Sequence, residues 1–437
     1  MADATKPLGD VGTEVEVPTL KQAALLSESE SAKALLKQRD YLLFWTCRFT
    51  SIFANQVQSI AIGWQVYAIA RITLSVEKSA FLVGLVGLAA FAPIFLLTLP
   101  GGETADRHNR KTILKICLSG QALVSLLLAV ASWQNWVTIP LLIGGSAVFG
   151  ALRAYSNPAT AALGPMLVPR SLLPRAIAWN SLAMQFGRIM GPAVGGVLVA
   201  ISPANAYFGA LLLYSLALAV VISIRKNTQP VVNPGSRWTL IREGISYVWH
   251  NKIVFGAISL DLFAVLLGGA TALLPVFAKD ILHVGAEGFG LMRAAPAIGA
   301  SLVGVVLVVR PVHTKAGAWM FGGVAVFGLA TIVFSVSQVL WLSVGALAIL
   351  GGADMLSVFV RQTLIQLSTP DPMRGRVAAV SSVFVGASNE LGEFESGLVA
   401  RFVGPALAAM LGGVGTLIVT GVWSRLYPEL RRADRMD

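Results

Sequence analysis

Apolar stretches of roughly 20 to 30 residues follow one another from about Tyr41 to Arg425, separated by short breaks rich in charge, proline or glycine. An apolar run of about 18 residues or more can cross a bilayer as a helix. The pattern predicts twelve spans. They fall at roughly 42–70, 79–100, 111–133, 138–162, 176–200 and 204–224 in the first half. In the second half they fall at roughly 253–278, 286–310, 317–336, 339–366, 377–400 and 404–425. The 286–310 span contains Arg293 and Pro296, so an interruption near its start is expected.

The longest internal break, 225–252, divides six spans from six. It starts polar and Pro/Gly-containing, and Ser236 is then placed to cap a short helix. Trp238, Ile241, Ile245, Val248 and Trp249 would share one face of that helix, which suits either the inner leaflet or the protein's own cytoplasmic face. The expected organisation is a tail (1–40), a six-helix bundle (41–224), the central loop (225–252), a second bundle (253–425) and a short tail (426–437). The halves also repeat. At an offset of 201, Gly150 meets Gly351, Arg175 meets Arg376 and Gly191 meets Gly392; at 210, Phe53-Ala54 meets Phe263-Ala264. Both offsets pair spans of like orientation, as a parallel six-plus-six duplication requires.

Composition agrees with a membrane protein and changes one detail. Of 437 residues, 55% are hydrophobic and only 13% charged, and mean hydropathy is +0.73. A soluble domain carries about 25% charge. The net charge of +11 is not a nucleic-acid footprint. With both termini on one side, that side collects almost all loop Lys and Arg, and the opposite loops hold only Arg71, Lys78, Lys279 and Arg401. The positive-inside rule then puts both termini in the cytoplasm. The partners implied are a lipid bilayer and a small molecule, with no nucleic acid, and a monomer is expected. Cys47 and Cys117 lie far apart in apolar runs, the four histidines sit in separate loops, and no P-loop pattern is present. These features give no metal site, cofactor, catalytic centre or P-loop ATP site.

Charges inside spans cost about 2.5–3.5 kcal/mol each on insertion scales, so they mark function or pairing. The first half offers Arg48, Asn55, Gln56, Gln58, Arg153, Asn157, Asn180, Gln185 and Arg188. The second half offers Asp261, Asp354, Asn389, Glu390, Glu393 and Glu395, with Arg361 towards one end of its span. This segregation suggests a wet seam with a basic wall facing an acidic one. Asp261, Glu390 and Glu393 are the candidate proton-coupling acids. Arg48, Asn55, Gln56, Asn180, Gln185, Arg188 and Asn389 are the candidate cavity or substrate groups. Glu390 and Glu393 nearly share a helix face and would repel unless a proton or cation intervenes.

The segment Gly101-Gly102-Glu103-Thr104-Ala105-Asp106-Arg107-His108-Asn109-Arg110-Lys111 sets an acid among bases behind glycines that allow a close turn. It resembles the loop 2–3 signature of the major facilitator superfamily through Gly102, Asp106, Arg107, Arg110 and Lys111, departing at Thr104 and Asn109. Gly191-Pro192-Ala193-Val194-Gly195-Gly196 is similar to the packing motif of antiporters in that superfamily. Stretches at Ser156-Asn157-Pro158, Asn180-Ser181 and Ala387–Gly392 resemble a bacterial exporter group that includes the enterobactin exporter and macrolide efflux proteins. The resemblance implies an all-α membrane fold of two six-helix bundles in the bacterial inner membrane. It also implies alternating access and proton-coupled efflux of a small hydrophobic or amphipathic molecule. Asp106 and Arg110 would then lock the cytoplasmic side in the outward-open state. Gly191, Pro192, Gly195 and Gly196 would let span 5 pack closely and bend. Uptake by the same fold, or a non-transporting receptor or assembly protein, are the rival readings.

Overall fold

The computed structural model describes residues 34–226, 237–310, 312 and 314–432. Most of the 1–40 tail, Ser236, His313 and residues 433–437 lie outside that set, as do the side chains of Trp238 and Ile241. The first half contains α1 (Arg39–Thr73), α2 (Val76–Arg107), α3 (Arg110–Trp133), α4 (Ile139–Met166), α5 (Leu173–Ile201) and α6 (Pro203–Ile222). After the connecting helix α7 (Arg237–His250), the second half contains α8 (Lys252–Leu267), α9 (Gly285–Val309), α10 (Ala316–Val336), α11 (Leu340–Leu367), α12 (Asp371–Val403) and α13 (Pro405–Leu426). A short α14 (Pro428–Arg431) ends the described chain. Six crossings per half bring the start of α1, helix α7 and α14 to one face, called the terminal face below; the opposite face is the distal one.

Ten of the described helical segments are long and apolar enough to cross a membrane. The two long helices outside that set, α1 and α12, carry Arg48, Asn55 and Gln56, and Asn389, Glu390 and Glu393. Helices too polar to face lipid on all sides are the ones expected to line the interior.

The duplication read from the chain reappears as matched packing. Gly150 presses on the Ala90 carbonyl of α2, and Gly351 presses on the Pro296 carbonyl of α9. Gly191 lies on Gln56 of α1, and Gly392 lies on Leu266 of α8, residues related by the second offset, 210. A side-chain carbon at any of these four positions would crowd its neighbour.

Three expectations need correction. The glycines of the 101–111 segment make no turn: α2 runs helically through Arg107, and the turn falls at His108-Asn109, where Asn109 Oδ1 accepts from Lys111 N at 3.0 Å. Gly101 instead brings α2 against the backbone of Ala154 and Tyr155 in α4. The expected interruption of span 8 does not occur. α9 is continuous because Arg293 is paired inside the protein and Pro296 packs on Gly351. The interruption occurs in span 7, where α8 stops at Gly268-Gly269. A 3-10 turn (Ala270–Leu273), a short helix (Leu274–Val276) and a π turn (Phe277–Ile281) carry that span onward. There Gly269 meets the Gly392 backbone and Gly268 meets the Phe327 ring, approaches that only glycine permits.

In α5 the Gly/Pro motif lies inside one continuous helix. Its small residues form two i,i+4 faces. Gly191 and Gly195 pack on α1, while Pro192 and Gly196 pack on Gly290 of α9 in the other half. Helix α7 lies against the protein's own terminal face: Val248 is buried, Glu243 pairs with Arg376, and Tyr247 Oη donates to the Ser368 carbonyl at 2.6 Å. Ile245 and Trp249 remain exposed.

Matched packing makes a matched prediction. Gly150→Val and Gly351→Val should each destabilise the protein by about 1–3 kcal/mol through overpacking. Gly144→Val and Gly345→Val, which meet nothing within 4 Å, should leave the melting temperature in detergent unchanged. Equal melting temperatures for all four variants would contradict the matched packing.

Candidate functional site

The two halves touch along α2 with α12 and along α5 with α9. The close contacts lie from the distal face to mid-depth. Gly84 meets Gly397, with a Cβ at Gly84 falling 3.0 Å from the Gly397 Cα, and the Phe81 and Phe394 rings lie tilted at 57° with centroids 6.2 Å apart. Gly196 meets Ala286 and Gly290. Asp280 accepts from Tyr67 Oη and, at 3.3 Å each, from the Nε and Nη2 of Arg71, tying α1 to span 7. Nearer mid-depth, Gln185 Nε2 donates to the Ala297 carbonyl at 3.0 Å and to Ser301 Oγ at 2.6 Å. Towards the terminal face α12 separates: Gly375 and Gly386 meet nothing within 4 Å, and Val383, Phe384 and Asn389 are exposed. The cleft between the bundles is therefore closed distally and open on the terminal side.

Where the halves part, α12 presents two acids. Glu390 faces Arg153 of α4, 4.0 Å across the boundary between halves. Glu393 pairs at 2.9 Å with Arg293 of its own half and accepts from Thr271 Oγ1 at 3.2 Å. The break in span 7 makes this possible, because it turns the Thr271 carbonyl towards Arg293 Nη1 at 3.3 Å. Irregular backbone at membrane depth is tolerated where protein or a cavity satisfies it. Gly87 of α2 gives Glu393 room, since a Cβ there would lie 3.3 Å from Glu393 Oε2.

The predicted site residues thus divide. Glu390 and Glu393 sit together, but their expected mutual repulsion is answered by one arginine each. Asp261 stands apart, almost fully buried within the second bundle and paired with Arg361, which is only 3% exposed. It lines a small internal cavity with Asp354, Val265, Phe327 and Ser357. The wall of acids facing a wall of bases is consequently incomplete, because Arg293 and Arg361 hold two of the acids from their own side. Sequence reading passed over Arg293 as a break signal and left Asp354 without a role; their depth within apolar spans was the signal for both.

On the first half, Gln56 packs under Gly191, Gln185 is spent on the contact with α9, and Asn55 is half-buried. Asn389 is exposed and donates to the Val385 carbonyl at 2.8 Å. Buried atoms without a hydrogen-bond partner include Arg48 Nε and Asn180 Oδ1. In the motif around Gly102, Arg107 pairs with Glu103 at 2.6 Å and Arg110 with Asp106 at 3.9 Å. Arg110 also donates to the carbonyls of Ala105 and Ala162, and Lys111 Nζ donates to the Ile224 carbonyl. These bonds join α2, α3, α4 and the end of α6 within the first bundle.

Twelve crossing helices, a parallel repeat and a cleft between the repeats define a membrane transporter of the major facilitator fold. Solved structures of that kind match over most of their length. A bacterial homologue of the human lysosomal transporter Spinster, inward-facing and unoccupied, has a TM-score of 0.70 at 15% identity over 91% of this chain and 97% of its own. A D-xylose–proton symporter has a TM-score of 0.67 at 12% identity, covering 89% and 98%. The family model described as transmembrane secretion effector matches residues 30–437, and the chain belongs to that family. Among curated relatives, the enterobactin exporter EntS of Citrobacter koseri is 26% identical over 393 residues, 88% of this chain and 91% of its own. The staphyloferrin A transporter of Staphylococcus aureus is 22% identical over 396 residues, 89% and 96% respectively.

The distal closure can be measured directly. Spin labels at Ile72→Cys and His283→Cys, both exposed on that face, should report one short distance. Asp280→Asn removes the charge that holds Arg71 and should broaden the distribution towards longer distances, with a population shift of up to about fivefold for a loss near 1 kcal/mol. An unchanged distribution would mean that Asp280 does not hold the halves together.

Proposed function

We propose that this transporter exports a small amphipathic molecule of the siderophore type from the bacterial cytoplasm, by proton-coupled antiport with alternating access. Secretion is the theme of its family, and two of its relatives carry siderophores by name. The positive-inside bias places the terminal face in the cytoplasm, so the cleft is open to the side from which an exporter loads. The protein works as a monomer in the inner membrane, each copy holding a complete cleft.

The observation that carries the coupling is the Arg153–Glu390 pair, which spans the two halves at the inner end of the cleft. At 4 Å, opposite charges attract by about 4 kcal/mol in an effective dielectric of about 20, before desolvation is subtracted. Protonating Glu390 removes that attraction and frees α4 from α12. Restoring the carboxylate draws them together again. A proton taken up from the distal side and released to the cytoplasm therefore alternates the tie between halves. Glu393, anchored to Arg293 and Thr271, sits one turn away as the second acid of the relay, and Asp261 tunes the second bundle through Arg361. When the terminal side closes, Asp106 and Arg110 lie on the face of the first bundle that meets α12 and lock it.

Glu390→Gln and Asp261→Asn should each abolish gradient-driven efflux in inside-out vesicles, while exchange without a gradient persists in Glu390→Gln. Expression and melting temperature of Glu390→Gln should match the parent. Efflux at the parental rate in both variants refutes the proton role.

A further inference from the structure

The charges around the cleft do not balance. Arg153, Arg293 and Arg361 each hold a carboxylate. Among the described residues, Arg48 and Arg188 make no ion pair and no side-chain hydrogen bond. The charged side chain acting on Arg48 is a second cation, Arg188. Arg188 lies in turn within electrostatic range of Arg153, a third cation, and of Asp354 across the boundary between halves. Asp354 is one carboxylate for two guanidiniums, and Arg361 and Asp261 also act on it.

The position of Arg48 follows from how α1 lies on α5. Tyr41 Oη donates to the Ala176 carbonyl at 2.7 Å, and Trp45 Nε1 donates to the Trp179 carbonyl at 2.8 Å. One turn deeper comes Arg48, whose Nε is buried without a partner, as is Oδ1 of Asn180 beside Trp179. At 1.5 Å per residue, Arg48 is about 14 Å along α1 from Arg39, and Arg188 about 22 Å along α5 from Leu173. Both lie on the terminal side of the tightest contacts between the halves, Gly84 with Gly397 and Gly196 with Gly290. Arg188 is exposed, and its charged neighbours belong to both halves, so it opens into the cleft.

We propose that Arg48 and Arg188 form an anion subsite that grips a carboxylate or similar forked oxyanion of the transported molecule. A guanidinium does not shed its charge when desolvated, and its planar fork binds two oxygens of one acid. Two such groups on adjacent helices within electrostatic range repel until an anion lies between them, so the subsite favours an acidic cargo group and disfavours a cationic one. The inference rests on the transporter reading only in calling the ligand cargo; a binding assay reads occupancy without transport, so the two can fail separately.

The test uses the purified full chain in neutral phosphatidylcholine nanodiscs, with thermal stabilisation by citrate and by 2-hydroxybenzoate as readout, against chloride and 2-hydroxybenzamide at equal ionic strength. Either carboxylate should stabilise the parent where chloride and the neutral amide do not. Arg48→Gln and Arg188→Gln should weaken the apparent affinity by roughly tenfold or more, as expected for losing a charge-assisted bidentate contact. Arg48→Lys should retain part of the affinity, and Arg39→Gln, exposed at the start of α1, should retain all of it. Stabilisation that survives both glutamine variants, or the absence of any carboxylate effect in the parent, overturns the proposal. So does an effect produced only by phosphatidylglycerol in the disc, which would make the ligand a lipid headgroup.

Discussion

A carboxylate or guanidinium at mid-membrane depth must be paired, wetted or neutralised, and the arrangement of this protein follows from how each such group meets that demand. Asp261 and Arg361 meet it with each other inside the second bundle. Glu393 meets it with Arg293 and Thr271. Glu390 meets it through an ion pair with Arg153 of the opposite half. A pair inside one bundle moves with that bundle and stabilises it in every conformation. A pair between bundles exists only while they are close, so its energy becomes a property of the conformation. Of these pairs, Arg153–Glu390 is the one whose energy depends on how the two halves sit.

Small residues decide where the bundles close. Gly84 against Gly397, and Gly196 against Gly290, bring helices from opposite halves into backbone contact on the distal side. Close approach of this kind is the main source of helix association where lipid offers no hydrophobic drive. Arg71, Tyr67 and Asp280 add a polar clasp at the same end. On the terminal side the α12 positions facing the cleft, Gly375 and Gly386, have no neighbour within 4 Å. The molecule is thus held at one end and free at the other, the geometry of a rocking pair.

Spans and duplication were legible in the chain because lipid imposes length and apolarity on every helix. Even the glycine register at the 201 and 210 offsets proved to mark equivalent contacts. What the chain concealed was partnership. Arg293 and Pro296 read as a helix breaker, yet a carboxylate from α12 and a glycine from α11 accommodate both. Gly101 and Gly102 read as a turn, yet they lie in a helix that needs a smooth face for α4. Asp261 and Glu390 read alike, as acids in apolar spans. Only the identity of the facing arginine, fixed by tertiary packing, separates a buried brace from a tie across the cleft.

Water access along α12 tests the central claim most directly. Single cysteines from 375 to 393 on a background lacking Cys47 and Cys117 can be labelled with a membrane-impermeant maleimide from the terminal side. The account predicts reaction at Gly375, Gly386 and Asn389 with a three-to-four-residue period, fading at Glu393, and strong protection once the terminal side is forced shut. Reaction only with lipid-soluble reagents along that face, or none in any state, would contradict a water-filled cleft between two moving halves.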